Sequence, residues 1–170
     1  MRVLTTLPLL LLAAVCPLRR SCAQTASNDD AQIRTLHERL IDAFNRKDVA
    51  AIMSHYLRGS ALFVFDVTPP RQHAGSEDYT KDWADLFAAF PGPLHQEISD
   101  LSITSDGRLA FSHYVVTGYF TRPDGNRLPI AVRVTDAYRK VNGKWLIVQE
   151  HVSVPVDIDT GKADLLSKPE

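Results

Sequence analysis

Asp66 closes the apolar run ALFVFDV (61–67) and is followed almost at once by Pro69-Pro70. A carboxylate in that place has two readings. It can initiate a turn by accepting nearby backbone N–H groups. Alternatively, it is pressed into an apolar pocket, where desolvation lifts its pKa toward the range of a general base. A second candidate set lies in RLPIAVRVTDAYRKVNGKWLIVQEHVS (127–153). Asn142-Gly143, between two runs rich in β-branched and aromatic residues, predicts a hairpin with a two-residue turn. Counting outward, Val141 opposes Lys144, Ala137 opposes Val148, Thr135 opposes Glu150 and Arg133 opposes Val152. Side-chain alternation then puts Ala131, Arg133, Thr135 and Ala137 on one face with Val148, Glu150 and Val152. The other face carries Val132, Val134, Asp136 and Tyr138 with Ser153, His151, Gln149 and Ile147. Arg133 and Glu150 come within reach of each other diagonally. They form either a weak ion pair on a solvated face or the wall of a partly polar pocket, since a buried charge is costly unless paired. A three-residue turn with a bulge would slip the register by one and exchange Glu150 for His151.

Six histidines stand at 37, 55, 73, 95, 113 and 151, and none has the spacing of a zinc site, so no metal is expected. His113, mid-strand between Phe111 and Val115, is either a satisfied core residue or a pocket acid/base or donor. His73 follows the Pro-Pro turn, at a pocket mouth or in water. Tyr79, Trp83 and Phe87 recur every four residues on one helix face, as core or as an aromatic pocket wall. There is no serine-triad signature, phosphate loop or dinucleotide fingerprint, and no cofactor is expected.

The elements that must position these groups follow from hydrophobic period and turn residues. Residues 1–23 read as a secretory signal peptide: Arg2, an apolar stretch over 3–15, and Ser21-Cys22-Ala23 before Gln24. The stretch is too short to span a membrane, and a secreted or periplasmic product is expected. Both cysteines, Cys16 and Cys22, fall inside it. Without Arg2, Arg19 and Arg20 the formal charge goes from −1 to −4. No basic stripe or motif for nucleic acid is present. The rest suits one domain (24–155) and a polar tail (156–170). Asp29 and Asp30 are expected to cap a helix carrying Ile33, Leu36, Leu40 and Phe44; Asp48 caps a shorter one ending near Tyr56. After the strand at 61–67, Gly75-Ser76 starts a third helix. Four strands follow, near 95–105, 108–120, 127–140 and 144–153, with turns at Asp106-Gly107, Pro123-Asp124-Gly125 and Asn142-Gly143. Helices first and a meander of long strands after is an α+β plan. A strongly curved sheet would leave a pocket that the helices cannot fill. An uncovered apolar sheet face (Val132, Val134, Ile147) predicts a homodimer.

The run of parts is an Asp-led helix ending in Tyr56, the strand FVFD, the Pro pair, Gly75, an aromatic helix and strands ending YRKVNGKWLIVQEHVSVPVD. This resembles the SnoaL-like branch of the nuclear-transport-factor-2-like superfamily, with its ketosteroid isomerases, polyketide cyclases and scytalone dehydratase. The resemblance covers essentially all of the chain after the leader. It implies a curved antiparallel sheet wrapped round a long helix, a cone with an apolar interior, usually dimeric. It places Asp66 at the position of the isomerase base. It turns Tyr56, Trp83, Phe87, His113, Arg133, Thr135, Val148, Glu150 and Val152 into the cone, and so favours the pocket reading of Arg133 and Glu150. The tyrosine and protonated aspartic acid that the isomerase uses as donors fall at Leu40 and Thr135, so steroid isomerisation is not implied. Two functions stay open. One is a cofactor-independent isomerase, cyclase or lyase working on a small apolar carbonyl compound, with Asp66 as acid/base, His113, Arg133 and Thr135 as oxyanion donors and Glu150 holding Arg133. The other is a non-catalytic domain that binds a small hydrophobic ligand or mediates assembly.

Overall fold

The computed structural model of the chain describes residues 18–166. Residues 1–17, most of the expected signal peptide, lie outside the described residues. Helix α1 spans Leu18–Asn45 and so begins well before the expected cap. Asp29 is therefore not a capping residue. It is buried within the helix, where Lys140 Nζ reaches its carboxylate at 2.6 Å and the Trp145 indole N–H at 3.2 Å. Ile33, Leu36, Leu40, Ala43 and Phe44 form the buried stripe of α1. Helix α2 (Val49–Met53) is N-capped by Asp48, whose carboxylate accepts the Ala51 N–H at 2.9 Å. Helix α3 (Ser76–Ala89) follows Gly75, whose φ of 97° suits glycine.

The helices pack on the concave side of a curved six-stranded sheet. Its strands are β1 (Phe63–Phe65), β2 (His73–Ala74), β3 (His95–Ser105), β4 (Leu109–Thr121), β5 (Arg127–Val141) and β6 (Lys144–Ser153). Their order is β2-β1-β6-β5-β4-β3, antiparallel except where β1 runs parallel to β6. The four long strands lie within a residue of their expected bounds. The two-residue β2 has no period from which to predict it. Gly118 in β4 lets β3 come close: a Cβ there would sit 2.0 Å from the His95 carbonyl oxygen.

The Asn-Gly turn forms as expected, and the ladder runs from Val141–Lys144 to Tyr138–Ile147. There Val148 is one residue too many, and the next pair is Ala137–Gln149. Every later partner moves by one, to Asp136–Glu150, Thr135–His151, Val134–Val152 and Arg133–Ser153. The slip comes from a bulge inside β6, with the two-residue turn intact. It puts Glu150 and Val152 on the same face as Val132, Val134, Asp136 and Tyr138, turned toward the helices. The reason is burial, because Tyr138 and Ile147 are both 0% exposed and every other inward residue must share their side. Val132, Val134 and Ile147 thus face inward, which removes the ground given for a dimer. A second bulge places Asp100 and Leu101 opposite Tyr114, between the pairs Ser99–Val115 and Ser102–His113.

The tail is also part of the fold. Val156 bridges to Ala163, the Leu165 carbonyl accepts the Ala131 N–H at 2.7 Å, and Leu165 closes one side of the cone.

Candidate acid-base cavity

Between the concave sheet and helices α1 and α3 lies a cavity of about 520 Å³. Its walls are mostly apolar, with Phe44 from α1, Trp83 and Leu86 from α3, and Val116, Val132, Val134 and Val152 from the sheet. Polar groups gather in two places. Asp66, just past the end of β1, and Asp82 on α3 form one group; Glu150, Tyr56, Tyr79 and Tyr114 form the other. Of the residues expected to point inward, Asp66, Tyr56, Tyr79, Trp83, Glu150 and Val152 line the cavity. Phe87 is buried behind the wall, packed on Phe44 and Trp83 with ring centroids 5.5 and 5.9 Å apart.

Three placements are overturned. Arg133, Thr135 and His113 are exposed on the opposite face of the sheet, with Arg133 paired to Val115 and Thr135 to His113 across β4 and β5. Burial of Val132, Val134, Asp136 and Tyr138 on β5, and of Ser112 and Tyr114 on β4, turns their neighbours outward, and the bulge at Val148 then parts Glu150 from Arg133. With Glu150 moved to the buried face, Arg133 and Glu150 lie on opposite sides of the sheet, and no ion pair joins them. The oxyanion role given to the three outward residues goes with their position.

The buried network contains Asp136, which the sequence reading placed on the other face. The two carboxylate oxygens of Glu150 each accept a tyrosine hydroxyl, from Tyr56 at 2.7 Å and Tyr79 at 2.6 Å. Asp136 is its cross-strand partner and is itself fully buried. Asp136 Oδ2 accepts the Tyr114 and Tyr138 hydroxyls at 3.0 and 2.9 Å, while Oδ1 finds no donor among the described residues. A proton on Asp136 directed at Glu150 removes that deficit. Burial favours it strongly, pushing the Asp136 carboxyl well above the ordinary carboxylate range, with the Glu150 charge adding to the effect. Burial also raises Glu150, to about 6, against the opposing pull of the Tyr79 and Tyr56 hydroxyls. The cluster is a coupled pair of carboxyls sharing protons.

Behind it, the Tyr138 oxygen lies 2.6 Å from both Ser112 Oγ and His37 Nε2. Since Tyr138 spends its proton on Asp136, both neighbours donate, which assigns His37 the neutral Nε2–H tautomer. Burial lowers the His37 pKa to about 4. Its contribution to stability is complete above 6.5 and is lost as the pH falls through about 4. Glu150 has the opposite sign: its contribution is complete below 4.5 and is lost as the pH rises through about 6. Across that shared window each amounts to about 2 kcal/mol. His37→Asn is therefore expected to make stability fall more steeply from pH 4.5 to 6, by about 2 kcal/mol. Urea midpoints at the two pH values measure it, and equal slopes in variant and wild type would refute it.

At the other polar group, burial raises the Asp66 pKa, and the Asp82 charge adds to it against the Val67 N–H and His73. His73 is buried beside α3, with ring nitrogens 3.3 Å from Asp78 and 3.7 Å from Asp82. It is not in water, as one of its two readings had it, and it does not line the cavity. No cluster that could hold a metal ion occurs among the described residues. Nor is any of their helices long and apolar enough to cross a membrane.

A family model described as the SnoaL-like domain matches residues 33–157. The chain belongs to the SnoaL-like domain family. Solved structures agree with this SnoaL-like assignment. A nuclear-transport-factor-2-like protein of unknown function from Pseudomonas putida is 28% identical with a TM-score of 0.75, over 85% of this chain and 99% of that one. A putative dehydratase of the same superfamily from Streptomyces avermitilis is 15% identical, TM-score 0.68, covering 75% and 97%. A ketosteroid isomerase-like protein from Erwinia carotovora atroseptica is 21% identical, TM-score 0.62, covering 72% and 93%. No curated protein matches the chain. The likenesses below 25% identity show a shared fold and leave the chemistry to the cavity.

Proposed function

We propose that this SnoaL-like protein is an exported, cofactor-independent acid–base enzyme of isomerase or dehydratase type, acting on a small, largely apolar carbonyl compound. One observation carries the reading: two carboxyl groups with raised pKa values, Asp66 and Glu150, face one mostly apolar cavity. Asp66, in its ionised form, takes a proton from the carbon next to the carbonyl. Glu150, in its protonated form, donates to the oxygen on which charge develops, or to a departing hydroxyl. Tyr56 and Tyr79 hold its carboxyl in place. Paired carboxyls with different environments are a recurring way to supply an acid and a base at once.

The test is a turnover screen with small hydroxy-carbonyl and unsaturated carbonyl compounds, followed by a pH profile. Because Glu150 must keep its proton, kcat is expected to fall tenfold per unit above about pH 6. A rate that keeps rising to pH 8 would remove Glu150 from the acid role. Export rests on the leader at 1–23. Mass spectrometry of the protein from its own host is expected to find Gln24 at the N-terminus, and an intact Met1 would refute it.

A second reading, a non-catalytic binding domain, is favoured by the saturation of Glu150 by two tyrosines, as in a fixed structural anion. Retained ligand in native mass spectrometry, with no turnover in the screen, would decide for it.

A further inference from the structure

Every charged residue lining the cavity is acidic: Asp66, Asp82, Asp85 and Glu150. Asp85 is already paired with Lys81, and Glu150 is held by two tyrosines. Asp82 is different. Its side chain is only 24% exposed, and it accepts no hydrogen bond from any described residue. The His73 ring nearby is too far away at 3.7 Å, and both ring nitrogens lack a hydrogen-bond partner. Burial raises both carboxyls, and the Asp82 charge adds to the rise at Asp66, while at Asp82 His73 opposes it and Asp85 and Asp78 add to it. A negative field, offset only in part by His73 and Lys81, thus spans a mostly apolar cavity that α3 also lines with the indole of Trp83, its ring centroid 5.4 Å from that of Tyr79. Carboxylate and aromatic faces together are the surroundings that an organic ammonium group prefers over water.

We propose that the molecule accepted by this cavity carries an ammonium group on an apolar body, the ammonium lodging against Asp82 and Trp83. The body fills the apolar interior toward Asp66 and Glu150. The inference rests on the proposed function only in using the same cavity, and it names the substrate class: an apolar amine, with acids excluded. A bound cation relieves the repulsion between Asp82 and Asp66, whereas a carboxylate ligand would add to it.

Isothermal titration of the full-length protein at pH 7 with phenylbutylamine, phenylbutanol and phenylbutyrate tests this. The amine is expected to bind at least tenfold more tightly than the alcohol, and the acid not at all. Asp82→Asn is expected to bring the amine down to the affinity of the alcohol while leaving the alcohol unchanged. The proposal is overturned if the alcohol or the acid binds as well as the amine, if the amine gives no binding at millimolar concentration, or if Asp82→Asn keeps the preference. Circular dichroism of the variant guards against misfolding, and Asp42→Asn, on an exposed carboxylate of α1 outside the cavity lining, is a control that must keep the preference. An amine preference without turnover of any substrate would refute the enzyme reading alone. Turnover of neutral carbonyl compounds that Asp66→Asn abolishes, without amine preference, would refute this inference alone.

Discussion

The Asp66→Asn variant is expected to lose between about a hundredfold and ten-thousandfold in kcat/KM on whichever substrate the wild type turns over, while remaining folded. Asp66 stands where β1 ends and lines the cavity. The amide keeps its size and can still accept the Val67 N–H that holds the carboxylate now. What it loses is basicity. Burial makes the native carboxylate a better base than an aspartate in water, so the loss should appear in kcat with little change in KM. Thermal unfolding of the variant should be close to that of the wild type, because an amide in a partly apolar site carries no desolvated charge. Turnover within threefold of wild type would show that some other group takes the proton.

The second large effect concerns stability. Glu150→Leu is expected to cost about 3–5 kcal/mol, a large fraction of a domain's total. The carboxylate accepts two tyrosine hydroxyls and faces the protonated Asp136, so its removal leaves buried donors unpaired, each worth about 1–3 kcal/mol. Combining Tyr56→Phe, Tyr79→Phe and Glu150→Leu removes the stranded donors along with the acceptor, and should recover much of the loss. Urea unfolding of the single and triple variants measures both. If the triple variant is less stable by the sum of its parts, the hydroxyls are not stranded by the loss of Glu150 and the network is not a unit.

Much of the architecture is legible locally. Asn142-Gly143 identifies its turn because both residues adopt positive φ, 50° and 80°, at little cost. The four-residue spacing of Tyr79, Trp83 and Phe87 marks the face of α3 that meets the interior. Asp66 at the end of an apolar run leaves a turn residue and a pocket carboxylate both open, and the family resemblance selects the pocket; the residue lines the cavity and also accepts the Val67 N–H. The rest depends on contacts distant in sequence. Asp29 looks like a cap because aspartate is a capping type, yet its partner Lys140 lies 111 residues away. Val148 is a good strand residue and carries no mark of a bulge; only the demand that Tyr138 and Ile147 be buried together with Glu150 makes it one. One visible signal pointed the right way. Asp136 alternates with Val132, Val134 and Tyr138, and an acid within so apolar a face requires donors from elsewhere. Tyr114 and Tyr138 supply them, from two adjacent strands.

The two bulges have a consequence for how this protein can diverge. Each inserts a single residue at the margin of the β4–β5 pair and bends the sheet there. Because Gln149 already pairs with Ala137, excising Val148 would straighten β6 without changing which of its later side chains look inward. The hollow would change its girth while its chemical furniture stayed in place. Gain or loss of one residue at either bulge would resize the chamber while Asp66 and Glu150 kept their places in its wall.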